Sequence, residues 1–376
     1  GNRGQVLLVF VAALLALLGI AALGIDAGYM YTVRHELQRS TDAGALAGAS
    51  AFFDGSWSDA AIRALADVRA RAYASKDKVA AAALSPGGEI SVAFPSAERV
   101  RVAASRNVPL FFSRIFLGPT KTITAYSVAE ASAAGTNVKG LKPWGIPLPW
   151  EDTNGNNKFD PGETVHKECN PEYDPSHQFC PGTRIILKIG TPGGGLGGGG
   201  GNPHQPTGTP SLQQEPGHFF ALALDGTGGT VYQDAIVNGS TTPVKIGDPV
   251  TLEPGNKVGP TRHGTQVLID ADPNSAWNAE KNLPESNVYK ITPQAGEKPW
   301  MDSPRVIRIP IYDPEIALTQ GRSEMVIAGF AGFWIESIGN QGTIFGRYVR
   351  MPALGEAGPT LGPSSGPVLR VLRLVE

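Results

Sequence analysis

Residues Asp152 to Glu163, read Asp-Thr-Asn-Gly-Asn-Asn-Lys-Phe-Asp-Pro-Gly-Glu, carry the clearest chemistry-bearing pattern in the chain. Asp152, Asn154, Asn156, Asp160 and Glu163 fall at loop positions 1, 3, 5, 9 and 12, and Lys158 at position 7 needs to offer only its backbone carbonyl. An EF-hand loop surrounds Ca²⁺ with this spacing, because a hard cation of that size takes about 6–8 oxygen ligands. Position 6, usually a Gly at the sharp turn, is Asn157, a residue that enters the left-handed region more readily than most. The bland alternative is an ordinary Asn/Gly-rich turn. The spacing predicts a structural calcium ion that holds a loop near Cys169.

Cys169 and Cys180 are the chain's two cysteines, with too few partners for a Cys-rich zinc site. Paired, they would close a short loop stabilised by roughly 2–3 kcal/mol, and they would need an oxidising compartment. The alternative is two free thiols. The pairing places the body of the chain outside the cytoplasm.

Catalytic patterns do not appear. There is no HExxH, GxSxG, Walker or dinucleotide fingerprint. The histidines (His35, His166, His177, His204, His218, His263) are dispersed, and Asp270 and Asp272 read as an acid pair at a strand-end turn without support for glycosidase chemistry. The nine-residue stretch 193–201, glycine but for Leu196, lacks the Lys-Ser/Thr ending of a phosphate loop and reads as a flexible surface loop. Net charge is −2 with scattered Lys and Arg, which argues against nucleic acid as a partner. The expectation is a protein that is not an enzyme.

The elements around these residues divide the chain in three. Residues 5–25, QVLLVFVAALLALLGIAALGI, have no polar side chain after Gln5. As a helix they span about 31 Å, close to the bilayer core. A cleaved signal peptide competes, but its apolar region is usually about 7–15 residues. Met30, Val33, Leu37, Ala43, Leu46, Ala47 and Ser50 continue a helical period past Asp26, so one helix is expected over 1–53. Gly24 with Gly28, and Gly44 with Gly48, set small residues four apart where another helix can approach, and Asp26 reads as a paired acid or a membrane-edge residue. A second helix is expected from Ser58, as its cap, to about Val79, followed by strands at 90–94, 100–104 and 122–128. With 47 Gly and 31 Pro, the remainder reads as short strands between turns: 184–189, 219–224, 244–246, 266–269, 305–311, 325–333 and 368–374. The fold class is α+β: a long N-terminal hydrophobic helix (1–53), a small pilin-like sheet (54–140), and a mostly antiparallel β domain (141–376), as a sandwich or barrel.

Arg3 to Phe52 resembles the N-terminal region of the Tad (tight adherence) pilus-assembly family, the TadE/TadG-like proteins. Arg3-Gly4, the apolar run, Asp26-Ala27-Gly28-Tyr29-Met30-Tyr31, Leu37-Gln38 and Asp42 to Ala49 follow the family pattern in order. Val100 to Ala133, with its Val-Pro-Leu-Phe-Phe turn, resembles the family's next block. The resemblance implies a bacterial surface pilus or filament subunit, or a minor pilin, that contacts copies of itself through the N-terminal helix, the membrane before assembly, and other pilus-assembly components. Type IV pilins carry an acid at position 5; if Gly1 is the mature start, this chain has the neutral Gln5, and apolar packing must drive assembly. The alternative is a monomeric envelope adhesin or binding protein anchored in the inner membrane with its body outside; an anchored hydrolase is a third class.

Overall fold

The computed structural model describes residues 3–53, 59–96, 98–114, 118–154, 159–170, 179–188, 220–294, 296–315, 324–358 and 366–375. The chain forms two compact units. The first comprises residues 1–52, 58–131 and 372–376, and the second residues 53–57 and 132–371. The fold is mixed α+β, with the long apolar helix first and a mostly antiparallel body after it.

In the first unit, α1 (Arg3–Ala49) runs for 47 residues, about 70 Å. Its two halves behave differently. Val9 to Ile25 is almost wholly exposed, with Leu17 at 65 % and Leu18 at 58 %. From Asp26 onward one stripe is covered: Val33, Leu37, Ser40, Thr41, Gly44, Ala45, Gly48 and Ala49. The stripe is offset by a residue or two from the expected Ala43, Leu46, Ala47 and Ser50, which are only half-buried. Small side chains decide the phase, because they let α2 (Asp59–Ala74) come close. Ile62, Ala66, Ala70 and Ala74 recur every fourth residue on α2 and are buried. The expected helix to Val79 ends instead at Ala74, Lys78–Val79 pairs with Ala82–Ala83 in a short ribbon, and the expected cap Ser58 lies outside the described residues.

Behind the helices lies an antiparallel meander of β1 (Ile90–Ser96), β2 (Arg99–Pro109) and β3 (Thr120–Thr136). β2 and β3 stay in register from Arg99 opposite Glu130 to Pro109 opposite Thr120. Val100, Val102, Ala104 and Val108 alternate inward. The C-terminus closes the unit: Val375 N–H donates to the Val128 carbonyl, and Arg373 donates to Glu130.

The second unit holds a six-stranded sheet and smaller two-stranded ribbons. Its order is β4 (Ile146–Pro147), β7 (Val306–Tyr312), β8 (Glu324–Ile338), β9 (Ile344–Val349) and β5 (Arg184–Lys188), with β6 (Pro249–Thr251) paired to the start of β8. The pairs are antiparallel except β4 with β7. Among the described residues this is one sheet covered on both faces, rather than the expected sandwich or barrel. Ile307, Ile309 and Ile311 of β7 and Ala331, Phe333 and Ile335 of β8 join one core with α3 (Gly229–Asn238) and α4 (Val258–Ala271). Val306, Tyr312, Phe330 and Trp334 join the core on the other face. Two-sided burial explains why β8 reads as a near-continuous apolar run.

The strand expected at 266–269 is part of α4. Its local sequence, Gln-Val-Leu-Ile, suits a strand, but Thr261, Gly264, Thr265 and Leu268 form a buried face at helical spacing and outweigh it. Among the described residues, the stretch 220–224 contributes isolated bridges at Ala221 and Leu222, and 244–246 one at Val244.

Candidate functional site: the exposed helix and the turn that grips it

The Asp26 carboxylate interrupts an apolar helix, yet it is 1 % exposed. The turn after β2 covers it. Phe111 N–H donates to one carboxylate oxygen (3.0 Å), and Phe112 N–H (2.9 Å) and Ser113 N–H (2.6 Å) donate to the other. The Ser113 hydroxyl adds a fourth bond (2.5 Å). Three consecutive backbone N–H groups pointing at one anion form a nest, so the turn's unpaired donors and the helix's buried acid satisfy each other. The Phe111 ring then meets Tyr29 edge-on at 5.6 Å. Asp26 is thus paired within its own chain. Sequence reasoning read it as a paired acid in a filament or, more often, a membrane-edge residue, and missed Ser113 and the turn's amides; an acid ending an apolar run, with a Phe-Phe-Ser turn later in the chain, is the signal available.

A second polar cluster fixes the lower helix. Gln38 Nε2 donates to Asp42 Oδ1 (3.0 Å), to the Tyr126 carbonyl (3.2 Å) and to Ser127 Oγ (2.9 Å). Ser127 Oγ also bonds Asp42 and Thr41, and the buried Ser40 hydroxyl donates to the Ala74 carbonyl. The Leu37-Gln38…Asp42 part of the motif therefore anchors α1 to β3.

Gly24, Gly28, Gly44 and Gly48 fall into two classes. A Cβ added at Gly44 would meet Ala74 Cβ at 2.8 Å and the Ala70 carbonyl at 2.9 Å, and one at Gly48 would meet Val100 at 2.9 Å and Ala70 Cβ at 3.1 Å. These two glycines pack against their own chain, so the expectation that they receive a helix from another copy is corrected: that face is already filled. A Cβ added at Gly24 or Gly28 would meet nothing within 4 Å beyond the helix's own backbone among the described residues.

The chain carries this arrangement where a comparison with known families also falls. Residues 4–51 match the model of a family described as putative Flp pilus-assembly TadE/G-like. The helix is therefore similar to the Tad segment of that family. No curated protein and no solved structure matches the chain. The matched segment covers both halves of α1, the exposed apolar run and the covered stripe, and ends two residues beyond the helix.

In the second unit, Cys169 and Cys180 form a disulfide with Cα atoms 4.7 Å apart. The loop before it is closed at its base by the Trp150–Val165 bridge, with Glu151 N–H on the Thr164 carbonyl (2.9 Å) and His166 N–H on the Pro149 carbonyl (2.8 Å). Of the expected calcium ligands, Asn156 and Lys158 lie outside the described residues. Glu163 is 8 % exposed: one oxygen accepts from Thr153 N–H (2.9 Å) and Thr153 Oγ1 (3.2 Å), the other from Asp160 N–H (2.9 Å). Asn154 Nδ2 donates to Asp160 Oδ2 (2.7 Å). Among the described residues no three Asp, Glu, His or Cys side chains converge on a metal-sized site. Glu163 itself ties the two ends of the loop together.

Asp270 and Asp272 do not form a pair. Asp270 accepts from Gln266 on α4 (2.7 Å), while the buried Asp272 accepts from Ser303 Oγ (2.6 Å). Asn256, in a Pro-Gly-Asn turn, accepts from Lys188 Nζ (2.8 Å), and burial pushes this lysine down to about 7. His35 stands edge-on to Tyr31, His166 is buried, and His177, His204 and His218 lie outside the described residues.

Proposed function

We propose that this protein is a structural subunit or minor pilin of a Tad-type surface pilus, held in the membrane by the first half of α1 before assembly and joined to further copies along that same half. A Tad segment with an apolar helix fits a pilus-associated protein, membrane-anchored or at the cell surface. One observation carries the finer reading: among the described residues, residues 9–25 find almost no cover in their own chain, whereas one stripe of residues 26–49 is covered. A bare apolar helix of this length costs roughly 25 cal/mol for each Å² left in water. Lipid removes that cost before assembly, and neighbouring helices remove it in a filament. Gly24 and Gly28 permit close approach there, and one repeated heterologous contact yields an open fibre.

The oxidised Cys169–Cys180 pair supports a body outside the cytoplasm. Calcium at 152–163 is proposed as a structural addition to this unit, supported by oxygen spacing; to use Glu163 the ion must displace its bonds to Thr153 and Asp160.

Alkaline extraction of membranes followed by negative-stain imaging of the detergent-free protein tests the reading. Retention in the membrane and regular fibres after detergent removal are expected. A protein that leaves the membrane in alkali and stays dispersed would contradict it.

A further inference from the structure

We infer that the turn at Phe111 and Phe112 makes a second contact with the bilayer, seated in its interfacial layer beside the point where α1 leaves the hydrocarbon; this rests on residues 9–25 being lipid-embedded before assembly. The turn is built inside out for a loop in water. Its backbone N–H groups and the Ser113 hydroxyl are committed to Asp26, and Ser113 is buried, while the Phe111 and Phe112 rings are 54 % and 49 % exposed. Two adjacent exposed aromatic rings on a turn invite a partner.

The level of the turn along the helix identifies that partner. Asp26 directly follows Ile25, the last residue of the apolar run, and Phe111 meets Tyr29 edge-on one turn further on. The turn is therefore held at the level of Asp26 and Tyr29, directly after the exposed Leu23 and Ile25 in the helix, and the still more exposed Tyr31 lies just beyond. A bilayer crossed by residues 5–25 puts this level in the interface, where aromatic side chains collect. Arg114, next to the turn, and Lys121 on β3 are exposed and suit anionic headgroups. The carboxylate tolerates the position because it is saturated with donors rather than bare. Asp26 acts as a positioning residue: it pins the turn to the helix, so a single crossing helix and a lateral foot grip the surface together and fix how the first unit stands on it.

The test uses the full chain in vesicles of phosphatidylcholine and phosphatidylglycerol, with an environment-sensitive fluorophore on Phe112→Cys, Leu18→Cys or Val68→Cys, and a quencher on the lipid chains near the headgroup. Val68 is an exposed control on α2. Emission at 18 and 112 should be quenched and that at 68 retained. Adding Asp26→Ala should reduce quenching at 112 and leave 18 unchanged. Quenching at 18 with 112 behaving like 68 would overturn the inference while leaving the embedded helix intact. Loss of quenching at both 18 and 112 would overturn both. A label at 112 that stays in water on vesicles but becomes shielded in fibres would give the turn to a second copy, which also overturns the lipid assignment. Unchanged quenching at 112 in the Asp26→Ala chain would overturn the positioning role of Asp26.

Discussion

Ser113 donates two hydrogen bonds to Asp26, one from its backbone N–H at 2.6 Å and one from its hydroxyl at 2.5 Å, across 87 residues of sequence. The contact ties the end of the apolar run to the sheet that follows it. It also changes what an acid in such a helix means, because its partner lies in the same chain rather than in a neighbouring one.

Asp26→Ala should free the amides of Phe111, Phe112 and Ser113. Each buried donor left without a partner costs about 1–3 kcal/mol, less where water replaces the carboxylate. Hydrogen exchange in detergent should show those three amides exchanging much faster, with the β2–β3 ladder little changed. Unaltered protection at the three amides would show that the carboxylate does not hold the turn.

The helix glycines should separate cleanly by stability. Gly44→Leu and Gly48→Leu force side chains into Ala70, Ala74 and Val100, and overpacking of this kind costs typically about 1–3 kcal/mol. Gly24→Leu and Gly28→Leu add their Cβ atoms in open space and should leave the melting temperature of the first unit unchanged or slightly higher, while impairing fibre growth. Thermal melts of the four variants, read with negative-stain images, check both halves of the expectation.

Acid should weaken the first unit through Glu89. The Arg106 guanidinium bonds its carboxylate at 2.6 and 2.7 Å and holds it below the usual value near 4.5. A carboxyl lowered in the folded state gives stability that is fully present above its unfolded value and lost as pH falls through the folded one. Denaturation midpoints measured from pH 6 downward should fall below about pH 4.5, and Glu89→Gln should flatten that part of the curve while lowering stability at neutral pH. An unchanged slope in the variant would remove the pair from the account.

Glu163→Gln should lower the melting temperature of the second unit without any added ion, because it removes charged acceptors for Thr153 and Asp160. If calcium binds the loop as its spacing suggests, millimolar Ca²⁺ should raise the wild-type melting temperature, with an affinity of about 10⁻⁴–10⁻³ M, and Asp152→Ala should abolish the rise. A wild-type melting temperature indifferent to Ca²⁺ would reject the ion and leave the loop closed by Glu163 and the bridge at its base.

Much of the architecture is legible in the sequence because its signals are local. The apolar run, the alternating valines of β2 and the two cysteines each announce themselves within a few residues. What stays hidden depends on partners far away in sequence. Gly44 and Gly48 present the same four-residue spacing as Gly24 and Gly28, and it is Ala66, Ala70 and Ala74 of α2 with Val100 and Val102 of β2 that consume one pair within the chain. Gln266 to Ile269 look like a strand until Leu268 is seen to face a core shared with Ile236. The spacing of 152–163 gives the order of oxygen atoms, but not that Glu163 turns its carboxylate onto the loop's own amides.

Photo-crosslinking in assembling cells measures the central claim most directly. A photoreactive residue at Leu17, in the exposed half of α1, should join two copies of the chain, whereas one at Ala45, buried against the chain's own α2 and sheet, should give no intermolecular product. Crosslinks between copies at Ala45, or none at Leu17 in any preparation that contains fibres, would contradict assembly through the first half of the helix.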